Sequence, residues 1–122
     1  MRLARNSVLL MLMAVPELTF AHHSAALYDL ASPITVTGVV KGFDWSNPHA
    51  YIYLDVKDQS GNSEEWTIEM TSLRLLKSWG WTRDLISHGD VIRCTGGRAK
   101  TGSASMLSTV VELPDGRRIR AS

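Results

Sequence analysis

Two of the four histidines in this chain are adjacent, His22-His23, and that pair is the first pattern with chemistry in it. If processing places His22 at the amino terminus, its free amine and ring Nδ1 can chelate one metal ion together. An amine ordinarily titrates at about 8 and an imidazole at about 6.5, so a metal ion can displace both protons near neutral pH. His23 adds a second imidazole, and Cu(II) can also deprotonate the amide between the two residues. Such a nitrogen-rich donor set favours copper, which also stands highest among the divalent first-row ions. The three-residue amino-terminal copper and nickel motif needs histidine in third place, where this chain has Ser24, so the match is partial. His49, in Asn47-Pro48-His49, is the third candidate ligand, because an arm folding over that turn would bring His22 or His23 to it. Two plainer readings compete: an exposed start whose histidines bind nothing, and a His49 ring that bonds a backbone carbonyl and fixes its turn. Trp45, Asn47 and Tyr51 stand beside His49 and are the candidate contacts for a ligand other than a metal.

Other chemistries lack their patterns. Ser24, Ser46 and Ser87 have no strand-turn-helix glycine context, and there is no CxxC pair, phosphate-cradling glycine loop or His-Glu-x-x-His helix. The expectation is a binding protein and not an enzyme. Glu65 and Glu69 share one strand face, where they could bind a cation or a sugar, or simply be solvated. Met70 and Met106 read as core side chains, and His88, before Gly89-Asp90, as a solvated turn residue. Cys94 is the only cysteine, so no internal disulfide can form and packing alone must hold the fold. Its strand-like surroundings predict a buried, inert thiol.

These residues need a scaffold, and the chain supplies it in order. Arg2 and Arg5, the apolar core Val8 to Val15, and Thr19-Phe20-Ala21 together read as a signal peptide over residues 1–21, with the mature chain starting at His22. A bilayer span needs about 20 apolar residues, and this core is roughly half that, so no membrane span is expected after cleavage. Roughly a hundred residues then remain, enough for one core and not two. Loss of Arg2, Arg5 and Glu17 from 13 basic and 12 acidic residues leaves the two signs in balance. That balance argues against nucleic acid or an anionic membrane as partner, since both demand a basic surplus.

Residues 22–33 read as an irregular amino-terminal arm, and 34–122 as the domain. Ile34, Val36 and Val40 alternate with Thr35, Thr37 and Lys41, which is the period of a half-buried strand, and Gly38 predicts a bend within it. A second strand carries Ile52, Leu54 and Val56 on one face, and a third carries Trp66, Ile68 and Met70. The period then changes: Thr71 or Ser72 can cap a short helix that Gly80 ends, and Trp81 to Ile86 reads as a second helical turn. Val91 to Thr95 forms a fourth strand, Gly96 to Ser103 a flexible loop, Ser105 to Leu113 a fifth strand, and Pro114-Asp115-Gly116 a turn. Three strands, a short helix and two more strands predict a mainly-β fold: a small five-stranded OB-like barrel with the helix between strands three and four. A small β-sandwich is the alternative.

Several segments together resemble a family of small exported bacterial proteins catalogued as a domain of unknown function. They are His22-His23-Ser24, Thr35 to Val40, Asn47-Pro48-His49-Ala50, Glu65-Trp66, Gly80-Trp81 with Asp84-Leu85, Gly89-Asp90, and Leu113-Pro114-Asp115-Gly116. The resemblance spans nearly the whole mature chain and implies a periplasmic or secreted protein with an OB-like barrel. It brings no activity. Members often carry an aromatic soon after His-His-Ser, where this chain has Ala25 and Ala26. The function expected is a periplasmic binding module that takes copper or another transition metal through His22, His23 and His49. The alternative is a metal-free adaptor that binds a peptide, an envelope protein or a sugar at Trp45, Asn47 and Tyr51.

Overall fold

The computed structural model describes residues 25–122, so the expected signal peptide over residues 1–21, His22 and His23 lie outside the described residues. Six strands and one helix follow in order: β1 (Tyr28–Asp44), β2 (Tyr51–Lys57), β3 (Ser63–Glu69), α1 (Leu73–Ser78), β4 (Val91–Ala99), β5 (Ser105–Glu112) and β6 (Arg118–Arg120). The sheet order is β3-β2-β1-β4-β5-β6, and a further pairing of β3 with β5 closes it on itself. That closing pair is parallel, while the others are antiparallel. Among the described residues no helix is long and apolar enough to cross a membrane.

The alternating residues land where their period requires. Val36, Val40, Ile52, Leu54, Trp66 and Ile68 all face one core, with Met70, Met106 and Val111 completing it. Cys94 lies within that core, and burial pushes its thiol up to about 12, so it is held protonated and unreactive. The single long β1 serves two neighbours: residues 28–39 pair with β4 and residues 39–44 with β2. Gly38 sits at this handover, where a Cβ would fall 2.8 Å from the Asp55 carbonyl oxygen. The predicted bend is therefore a close backbone approach, and the register slips just beyond it, between Val40 and Gly42.

Four expectations change. There are six strands, not five, because the chain returns after the Asp115-Gly116 turn and Arg118–Arg120 pairs with β5. β1 begins at Tyr28, six residues before the alternation starts, since Tyr28 and Asp29 pair with Ala99 and Arg98. Gly96 and Gly97 belong to β4 and not to a flexible loop. Glycine serves there for close approach: a Cβ on Gly96 would strike the Leu107 carbonyl, and one on Gly97 would lie 2.7 Å from the Asp29 carbonyl oxygen. Finally, Trp81 to Ile86 forms no helix. Trp81 is instead locked in the core, with its indole N–H donating to the Arg120 carbonyl at 2.7 Å.

The helix ends as its residues predict. Gly80, at φ +100°, follows the last turn, and its N–H and that of Trp81 return to the Lys77 and Leu76 carbonyls. At the other end Ser72 makes no side-chain cap, and Asn47 reaches over from the loop after β1 to accept the Leu73 N–H at 3.4 Å.

Candidate functional site

The turn Asp44 to Ala50 delivers His49 beside the end of β3. Two backbone bonds place it: Ala50 N–H to the Thr71 carbonyl at 3.2 Å and Met70 N–H to the Ala50 carbonyl at 2.9 Å. In β3, Trp66 and Ile68 turn to the core and Glu69 turns outward, as strand alternation requires. Glu69 is nevertheless buried, at 6% exposure. The reason lies in the chain around it, because Tyr28 at the start of β1 and His49 both close over its carboxyl group.

The contacts are specific. His49 Nδ1 lies 2.7 Å from Glu69 Oε1, and the Tyr28 hydroxyl donates to Glu69 Oε2 at 2.7 Å. A carboxylate only accepts, so the hydrogen of this bond is carried on Nδ1, which leaves Nε2 as the ring nitrogen whose lone pair a metal could take when the ring carries one proton. Among the described residues no hydrogen-bond partner meets Nε2. Burying a carboxylate is costly unless it is hydrogen-bonded, and these two donors supply that compensation. Burial, reinforced by the Glu69 charge, pushes the Tyr28 hydroxyl up to about 12, against the opposing effect of Ser105. Tyr28 therefore remains a donor across the physiological range. Tyr51, paired with Glu69 across β2 and β3, is likewise shifted upward, first by burial and then by the Glu69 charge.

A pocket of about 240 Å³ opens at this point, with Ala25, Leu30, His49, Glu69, Met70 and Leu107 among its lining residues. Ala25 brings the amino-terminal arm to its rim. Among the described residues no three His, Cys, Asp or Glu side chains gather into a metal-sized cluster.

The other candidate contacts have local tasks. Trp45 is half-buried, edge-on to Phe43 at 5.5 Å between ring centroids and packed against the core. Asn47 is exposed and holds the start of α1. His88 is exposed in its turn, as expected. The His49 ring bonds a carboxylate and not the backbone carbonyl that the plainer reading supposes. Glu69 and Tyr28 are the residues that sequence reasoning missed as a pair with His49. The one available signal was a glutamate three residues past a core tryptophan, and nothing in its period distinguishes a covered outward position from a solvated one.

Fold and site together define a small closed β-sheet domain that presents a carboxylate-held histidine beside a pocket. The chain belongs to DUF6152, a family of unknown function, whose model matches residues 10–108. No curated protein and no solved structure matches it.

Proposed function

We propose that this chain is an exported, periplasmic metal-binding module built on an OB-like barrel, with His49 and the amino-terminal histidines His22 and His23 as ligands and copper as the metal. The observation that carries this reading is the 2.7 Å contact between His49 Nδ1 and the buried Glu69. Metal-ligating histidines characteristically donate their second ring N–H to a carboxylate, which fixes the tautomer and makes the free nitrogen a better ligand. In sequence His22 and His23 stand just before Ala25, which lines the same pocket as His49.

The order of strands supports the OB-like reading. A ring of five strands with β3 and β5 parallel, and a helix between β3 and β4, is the arrangement of that partly open barrel, with β6 added at its edge. The division we propose is a signal peptide over 1–21, an arm over 22–33 and the domain over 34–122. The test is calorimetric titration of Cu(II) into protein beginning at His22 and carrying no amino-terminal tag. His49→Ala should lower affinity by about tenfold or more, and His88→Ala should leave it unchanged. Equal affinity in wild type and H49A would remove His49 from the site.

A further inference from the structure

Away from His49, the strand register sets two rows of side chains across the outer face of β1, β4, β5 and β6. In one row Arg93, Glu112 and Arg118 stand opposite one another on β4, β5 and β6. In the next row Val39 and Val91 stand opposite each other on β1 and β4, 36% and 55% exposed. Two hollows of about 300 and 470 Å³ lie on this face and share Arg93 and Glu112. The arginines are underused. Arg93 Nη1 lies 3.7 Å from Glu112 Oε1, beyond hydrogen-bond distance, and among the described residues the Arg118 guanidinium has no partner. Two guanidinium groups and one carboxylate line the smaller hollow, which leaves it one positive charge in surplus.

A guanidinium holds a carboxylate through two parallel N–H groups, and a singly charged carboxylate matches that surplus. A phosphate dianion would bring its second charge against Glu112. No aromatic ring lines either hollow, so a sugar or a base finds nothing to stack on. The face is also open, with the Arg93 side chain 54% exposed, whereas sites for small molecules bury most of their ligand. We propose that this face docks an extended segment of a partner protein, with an acidic side chain between Arg93 and Arg118 and an aliphatic one against Val39 and Val91. Val91 and Arg93 are two residues apart on β4, roughly 6.6 Å, and side chains on one face of an extended segment repeat at the same distance. The acidic and aliphatic residues of the partner must therefore also be two apart. This surface is independent of the metal site proposed above.

The test titrates two end-blocked serine peptides into isotope-labelled protein and follows the backbone amide shifts. Each peptide carries one valine and one glutamate, two residues apart in the first and adjacent in the second. The first should move the amides of Val91, Arg93, Glu112 and Arg118, and should bind at least about threefold more tightly than the second, whose two side chains leave an extended chain on opposite faces. Arg93→Gln and Arg118→Gln should each weaken the first peptide about three- to fivefold, as loss of an exposed ion pair does, and Glu112→Gln should strengthen it by a similar factor. Arg74→Gln makes the same change in net charge on α1, outside this face, and should alter nothing. None of the four side chains is buried, so the variants keep the fold. Equal affinity for the two peptides, shifts centred elsewhere, or losses in R93Q and R118Q no larger than in R74Q would overturn the proposal. Absence of binding by wild type would overturn it as well, and none of these outcomes bears on copper.

Discussion

At the scale of single residues, Glu69 is the centre of the candidate site, because its carboxyl group hydrogen-bonds both His49 and Tyr28. Glu69→Gln keeps the shape but weakens the acceptor, so Cu(II) affinity should fall about 10- to 100-fold, with the circular dichroism spectrum unchanged. Tyr28 gives a pH prediction with a definite sign. Its hydroxyl is raised from 10.0 to about 12, so the folded state favours the neutral phenol. That contribution is complete below pH 10 and is lost as pH rises through about 12. Denaturation midpoints should therefore fall across this window in wild type and fall less in Y28F. Cys94, with its thiol pushed up to about 12 in the core, should react with a disulfide reagent at neutral pH only after unfolding. The Cys94 result was legible in the sequence, from one cysteine within an apolar alternating run. The burial of Glu69 was not, because it depends on two residues 20 and 41 positions away.

At the scale of elements, strands were read well where one face is core and poorly where glycine is involved. The runs through Val36, Leu54 and Ile68 alternate cleanly, and each occupies the face that its period demands. Gly96 and Gly97 suggested a loop, since composition cannot distinguish a glycine chosen for flexibility from one chosen for closeness. Gly96→Ala tests the distinction: a Cβ would strike the Leu107 backbone, so β4 and β5 must separate. The change should cost at least about 1 to 3 kcal/mol in chemical denaturation, the range of overpacked interiors, where a loop glycine would cost little. Trp66, buried at 5% with the Arg98 guanidinium 5.1 Å from its ring, should cost about 3 to 5 kcal/mol on truncation to alanine. Position 28 escaped notice as a strand start because Pro33 and Ser32 interrupt the alternation before it resumes at Ile34.

At the scale of the whole molecule, the sheet closes on itself through β3 and β5, and the proposed metal site depends on which residue carries the amino-terminal group. The proposal of export predicts that amino-terminal sequencing of the processed protein begins at His22, and a start at Ser24 or later would remove two of the three proposed ligands. The most direct measurement acetylates the amine of His22 by semisynthesis, which removes that donor and leaves every imidazole in the chain intact. Calorimetry should then show a loss of Cu(II) affinity well beyond tenfold relative to protein beginning at His22 with its amine free, since the chelate through the amine and its own ring can no longer form. Equal affinities in the two proteins would contradict the amino-terminal site.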